Sequence, residues 1–388
     1  GAGLESTNFT SIMHNLINQL LLAMKAKPSV EIALKAIEDG QKPVLTVANT
    51  METFLKTTAN DLGLSIGDTV ELTFGDLLIR YLDRTRTITI KKPFMKKGEK
   101  GQKHYLTDEE LGFAGVEAYE DARNLIESID FGDLSISPID YIKYGLEKKG
   151  YKVGEITGRQ VILDYSGGDG KKRTGQNKVG APVLATRPGN ATTARGKNKT
   201  ISDFNSGELD AVVINKSGST GLSLHAKKGF KDVRQRHMII VQPNENIDTH
   251  MQTLGRVHRT GQVIVPEYTQ MVADIPAEKR PAAVLAKKMA SLNAITTSAR
   301  KSALTAENIP DFLNEYGDLV AYQFMQDNPE IAFMLDIDTR SSHEGDSRNG
   351  VRQDVEGLMA RLTGRILLLV RQREIARSPM LLFTGFIT

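Results

Sequence analysis

The feature that most constrains this chain is a set of short apolar runs, 44–48, 211–215 and 237–242, each flanked by polar or turn-forming residues. Runs of this kind read as strands buried on both faces, the condition of a parallel sheet. Segments 151–157 and 263–272 add two more strands, with 161–164 a further short one. Helical or loop segments separate them, and parallel neighbours require such crossovers. The order strand, helix, strand, helix, strand, loop, strand, helix, strand predicts a parallel α/β sheet with its ligand edge at the carboxyl ends of the strands.

Length and composition allow two domains, or one large domain with insertions: 388 residues, 40% hydrophobic and 25% charged. Cysteine is absent, which excludes disulfides and thiolate metal sites, and the 7 histidines show no paired ligand spacing, so no structural metal is expected. With a net charge of only +3, nucleic-acid binding has to be argued from local clusters. The start, Gly1-Ala2-Gly3-Leu4-Glu5, reads as a tag remnant or the cut edge of a larger chain. No apolar segment approaches the roughly 20 residues a membrane helix needs. A soluble, intracellular protein without a membrane partner is therefore expected.

Helical spacing marks 11–25 and 29–39 as a lead-in occupying residues 1–40. The main lobe is expected over 41–280, interrupted by an inserted subdomain at about 57–130 and a mobile basic loop at about 165–199. Residues 281–388 read as a helical carboxyl-terminal extension.

Two motifs carry the chemistry. After the strand 211–215 comes Lys216-Ser-Gly-Ser-Thr-Gly-Leu-Ser-Leu-His-Ala226, in which Gly218 and Gly221 allow a tight backbone turn while Ser219 and Thr220 offer hydroxyls and amides to phosphate or ribose. After the strand 237–242 comes Gln252-Thr-Leu-Gly-Arg-Val-His-Arg-Thr-Gly-Gln262. If the helix runs through this stretch, Gln252, Arg256 and Arg259 fall at i, i+4 and i+7 on one face, with Ile247, Met251 and Leu254 on a separate apolar face. A guanidinium donates paired hydrogen bonds to phosphate and keeps its charge, so this pair suits a transferring phosphoryl group. Both motifs begin at the predicted ligand edge.

Together with Arg234-Gln-Arg-His-Met-Ile-Ile-Val-Gln-Pro243 and Ala286-Lys-Lys-Met-Ala-Ser-Leu292, these motifs make the chain resemble the second RecA-like lobe of superfamily 2 helicases, in the strawberry notch branch. Phage and plasmid antirestriction proteins carry similar helicase halves. The resemblance implies a RecA-like parallel sheet with flanking helices. It implies that Arg256 and Arg259 reach the γ-phosphate of a nucleotide, that Gln252 helps set the inter-lobe contact, and that Gly218, Ser219, Thr220 and Gly221 couple the nucleotide to nucleic acid. Asn49, Thr50 and Gly158 lie where such lobes touch a phosphate backbone, and Lys171, Lys172 and Arg173 add positive charge in the basic loop.

The chain departs from a complete motor in lacking Gly-x-x-x-x-Gly-Lys followed by Ser or Thr, and it has no acidic Asp-Glu box for magnesium. ATP and Mg2+ would therefore be held mainly by a first lobe, from the same protein or a companion chain, and this chain alone is expected to be inactive. The implied function is an ATP-hydrolysing nucleic-acid translocase, on DNA ahead of RNA, in a bacterial or phage-infected cytoplasm ahead of a nucleus. The alternative is a non-catalytic nucleic-acid-binding or protein-docking module with the same lobe fold.

Overall fold

The computed structural model describes residues 4–5, 9–90, 102–132, 134–166, 181–215, 223–244, 246–295, 323–324, 326–330 and 380–386. The main sheet contains β1 (Lys42–Thr46), β2 (Val153–Ile156), β3 (Ala211–Ile214), β4 (Arg236–Ile240), β5 (Glu267–Ala273) and β6 (Met380–Phe386). Their spatial order is β6-β5-β4-β1-β3-β2. The strands β5, β4, β1, β3 and β2 run parallel, and β6 adds an antiparallel edge beside β5.

Every residue of β1, β3 and β4 is buried, as double-sided coverage requires. The two-residue period divides them between two cores. Leu45, Val213, Ile239 and Met271 face a layer that includes α1 (Phe9–Glu38), α2 (Glu52–Asp61), α3 (Phe74–Thr85) and α5 (Pro138–Glu147). Val44, Val212, Met238, Ile240 and Tyr268 face α6 (Ala194–Ser206), α7 (Ile247–Leu254) and α8 (Pro276–Ile295). Burying each such side chain contributes about 1.5–3 kcal/mol.

The two helices expected at 11–25 and 29–39 are one, because α1 continues through Pro28. Proline removes one backbone donor. The helix is held across that gap by its buried face, including Leu22, Ala26 and Ala33, and by Ser29 Oγ, which donates to the Lys25 carbonyl at 2.6 Å. Lys25, fully buried, pairs with Glu278 at the start of α8, and Glu278 also accepts from Ala273 N–H at 2.6 Å. That pair fastens the lead-in helix to the far end of β5.

The insertion between β1 and β2 carries α2, α3, α4 (Phe113–Glu127) and an antiparallel hairpin of Thr87–Ile90 with Gln102–Tyr105. A reciprocal Thr73–Asp76 capping box starts α3.

The region read as a basic loop holds more structure than its composition suggests. Val183–Thr186 pairs antiparallel with Val161–Asp164, and α6 begins at Ala194 behind a Thr193 cap, seven residues before the start read from the sequence. A buried ionic cluster anchors this hairpin. Arg159 donates to Glu155 at 2.7 Å and to Asp140 at 2.8 Å, while Arg187 reaches Glu155 at 3.2 Å. Lys171, Lys172 and Arg173 lie outside the described residues. The extension read as helical ends differently: Met380–Phe386 returns as the strand β6. Its composition, apolar and aromatic around one threonine and one glycine, suits a pleated edge.

Burial raises the Glu155 carboxyl, but the charge and hydrogen bonds of Arg159, with Lys143 and Arg187, hold it far below the ordinary range. Removing the cation would leave two buried carboxylates without their main partner. Arg159→Ala is expected to cost about 3–5 kcal/mol of unfolding free energy, read from the urea midpoint at pH 7. A loss within the range of an ordinary surface substitution would show the cluster to be dispensable.

Candidate functional site

Parallel register makes the carboxyl ends of the strands level: Thr46 pairs with Ile214 on one side and Ile240 on the other, and Ile156 also pairs with Ile214. The residues just beyond them therefore share one rim. Asn49 N–H, three residues past β1, donates to Gln242 Oε1 at 2.9 Å, and Asn49 Oδ1 accepts from Met51 N–H at 3.0 Å. Met51 takes φ 57°, a left-handed conformation seldom adopted by a residue with a side chain, and is buried. Glu52 Oε1 then accepts from Gln160 N–H at 2.7 Å and Val161 N–H at 3.0 Å. The rim thus brings exposed Asn49, half-buried Thr50 and exposed Gly158 onto one side of the sheet. Gly218, Ser219, Thr220 and Gly221, in the segment after β3, lie outside the described residues.

The arginine motif departs from the face expected of it. The helix α7 starts at this rim, where Asn246 Oδ1 caps Thr249 N–H at 3.0 Å, but it ends at Leu254. Two carbonyls that would continue the ladder are taken by tertiary donors. Tyr268 OH donates to Leu254 O at 3.0 Å, and Leu224 N–H donates to Arg256 O at 3.0 Å. Arg256 therefore sits in the turn after the helix and Arg259 beyond it, so Gln252, Arg256 and Arg259 do not form one helical face. Gln252 and Arg259 are exposed while Arg256 is 4% exposed. The buried helix face is His250, Thr253 and Leu254, with Met251 pointing outward.

The turn lies near the amino ends of the strands, since Tyr268 opens β5 and Leu224 contacts Arg236, the first residue of β4. The motif begins at the carboxyl rim and delivers its arginines to the opposite one.

Cations dominate this amino-terminal edge. Arg256 Nε and Nη1 are buried without a hydrogen-bond partner among the described residues. Burial, then the Arg259 charge, pull the Arg256 guanidinium down to about 10, with no carboxylate opposing them. Arg259 Nε donates to Gly255 O at 3.2 Å, and its N–H to Gln262 Oε1 at 3.1 Å. His225, whose Nδ1 lies 2.9 Å from Ser223 Oγ, is pushed down by burial and by Arg259, Lys227 and Arg236. Close by, Asp232 alone serves Lys42, Arg234 and Arg236. Burial depresses Lys42 to about 8. Among the described residues no carboxylate offsets the Arg256 guanidinium, so its two unpartnered donors stay available to a hydrogen-bond acceptor.

Lys42, Asp232 and Arg236 were not singled out by sequence spacing. A lysine or arginine opening an apolar strand is the signal they offer. Among the described residues no group of three or more His, Asp or Glu could hold a metal ion, and no helix is long and apolar enough to cross a membrane.

A parallel sheet covered by helices on both faces, with an arginine-bearing turn at one edge, is a RecA-like α/β lobe. The helicase-type family model described as the C-terminal domain on Strawberry notch homologue matches residues 146–339, half of the chain, and the chain belongs to that family. It is 34% identical over 116 residues to Protein strawberry notch homolog 1 of Gallus gallus, covering 29% of this chain and 9% of that protein. It is 34% identical over 104 residues to Protein strawberry notch of Drosophila melanogaster, covering 27% and 6%, and 23% identical over 219 residues to Protein FORGETTER 1 of Arabidopsis thaliana, covering 55% and 16%. The matched stretch therefore spans a small fraction of each relative's length.

His250 gives α7 a pH signature. Its Nε2 is buried without a partner, and burial lowers its pKa from 6.5 to about 4. Between those values the unfolded chain binds more protons than the folded one, so stability falls on acidification through this window, by up to about 3 kcal/mol. Urea unfolding at pH 7 and pH 4.5 should show that loss, and His250→Gln should flatten it; equal slopes in both proteins would assign the effect elsewhere.

Proposed function

We propose that this chain is the second motor lobe of an ATP-driven nucleic-acid translocase, and that it contributes Arg256 and Arg259 to a nucleotide pocket whose phosphate-gripping loop and magnesium ligands come from another lobe. The observation that carries the reading is the buried Arg256 guanidinium, with two donors unpartnered and Arg259 as the neighbouring charge. The donor set fits the terminal phosphate of a nucleotide and no more of it. Guanidinium groups can neutralise oxygens on which charge develops, and burial strengthens that effect by lowering the local dielectric.

The division of labour within the pair follows from exposure. Arg256, fixed by its turn and already dehydrated, would supply oriented donors without further loss of water. Arg259, exposed and held only through Nε and its backbone, would close on the phosphate once the facing lobe arrives. Gln252, exposed in the last turn of α7, faces that same approach. The seven-residue segment 216–222, with Gly218, Ser219, Thr220 and Gly221, connects β3 at the carboxyl rim to Ser223 beside the arginine turn. That path suits a coupling element between nucleic acid bound near Asn49, Thr50 and Gly158 and the nucleotide at the other edge.

In the complete protein, Arg256→Ala is expected to cut nucleic-acid-stimulated ATP hydrolysis by roughly 10³-fold or more while leaving nucleic-acid affinity close to wild type. Steady-state turnover with DNA and RNA as stimulants, paired with binding titrations, measures both. This chain alone should hydrolyse no ATP. An unaltered rate in the variant, or magnesium-dependent turnover by the isolated chain, would sink the proposal.

A further inference from the structure

We propose that Arg236 is a positioning residue for Arg256, acting through the backbone strip that begins at Ser223. The inference rests on the nucleotide-facing role proposed for Arg256 above and adds to it a support 20 residues away in sequence.

Three carbonyls converge on the Arg236 fork: Nε donates to Leu224 O at 2.8 Å, Nη1 to Arg234 O at 2.8 Å, and Nη2 to Asp232 O at 2.9 Å. The guanidinium lies over the Phe204 ring, 5.1 Å from its centroid, and is 1% exposed. Its target strip in turn holds the arginine turn. Leu224 N–H donates to Arg256 O at 3.0 Å, Val263 N–H donates to Ala226 O at 2.7 Å, and Lys227 bridges Gln262. One residue, Leu224, thus separates the Arg236 fork from the Arg256 backbone. Asn205 Nδ2 adds a second hold on the strip, donating to Ser223 O at 3.0 Å.

Chemistry explains why an arginine stands there. Its nearest carboxylate oxygen, on Asp232, is 3.5 Å away, and that carboxylate is shared with Lys42 and Arg234. A cation buried on such terms contributes little by charge pairing. What it does contribute is a planar fork whose donors fix three carbonyls at once, which a lysine ammonium on a flexible stem cannot reproduce. A residue retained for charge would tolerate lysine; one retained for geometry would not.

The test is nucleic-acid-stimulated ATP hydrolysis by the complete protein carrying Arg236→Lys, Arg256→Ala or both, with thermal melts to confirm folding. Arg236→Lys is expected to lower kcat roughly 10- to 100-fold, the scale of a small misplacement of a reacting group, with KM for ATP and nucleic-acid affinity nearly unchanged. In the Arg256→Ala background it should have no further effect, because both substitutions remove one function. An additive loss in the double variant, or full activity in Arg236→Lys, would overturn the proposal. If Arg236→Lys does not fold, Phe204→Leu removes the supporting ring while leaving the hydrogen bonds. Its smaller loss must likewise vanish without Arg256, and a loss that persists would overturn the relay. Should Arg256→Ala itself leave turnover intact, the motor reading falls and this inference falls with it; wild-type-like Arg236→Lys beside a slow Arg256→Ala removes the relay alone.

Discussion

Burial of the central strands on both faces is the constraint from which the rest of this structure follows. Every residue of β1, β3 and β4 is buried, and their aliphatic side chains from Val44 to Leu45, Ala211 to Ile214 and Met238 to Ile240 divide between two apolar cores. Polar chemistry can then leave the sheet only at strand ends. In a parallel sheet those ends are level, so each edge gathers groups that are far apart in sequence: Asn49, Gly158 and Gln242 at the carboxyl rim, and Lys42, Arg236 and Tyr268 at the amino rim. A helix joining two such strands must travel from one rim to the other, and α7 does so in 8 residues. Among the crossovers, α7 is a short helical link between the two rims.

The rims differ in charge logic. At the end of β2, Arg159, Arg187 and Lys143 face Asp140 and Glu155, and each member has named partners. Such a cluster stabilises the hairpin it anchors because every buried charge is met by a hydrogen-bonded partner. At the amino rim Asp232 is shared by Lys42, Arg234 and Arg236, Glu267 lies beside His237, and no carboxylate offsets the Arg256 guanidinium. On the proposed reading, its two buried donors specify hydrogen-bond acceptors rather than a diffuse counter-ion. This contrast is what separates a functional reading of the amino rim from a structural reading of the other.

Much of the architecture was legible because period and burial act locally. Residues 44–48, 211–215 and 237–242 could be read as parallel strands from their apolar continuity, and the crossovers between them from length. What escaped the sequence is governed by tertiary partners. The helix through Gln252 was expected to carry Arg259, but Tyr268 and Leu224, remote in sequence, take the carbonyls that would have extended it. Residues 11–25 and 29–39 were read as separate helices, yet the buried Lys25–Glu278 pair and two apolar faces hold α1 together through Pro28. The segment 183–199 looked like a basic loop because its anchors, Arg159 and Glu155, lie on another strand end. Composition reports solvent preference; it does not report which charge will find a partner.

The early termination of α7 changes how the arginine pair can work. On one continuous helical face, Arg256 and Arg259 would be equally hydrated, and both would have to shed water when a phosphate arrived. The turn instead divides them. Arg256 is dehydrated during folding, its guanidinium donors oriented by a backbone held from Leu224, while Arg259 stays in water and free to adjust. On the proposed reading, preorganisation of one donor set would lower the reorganisation needed as charge develops, and retention of one exposed cation would allow capture from a distance. The cost of burying Arg256 without a partner among the described residues is offset by the core that fixes the turn, to which Leu224, Leu254, Val257 and Tyr268, all at most 4% exposed, belong. Apolar packing and an unsatisfied guanidinium at this edge are two halves of one arrangement, because only a rigid surround can hold such a charge in place.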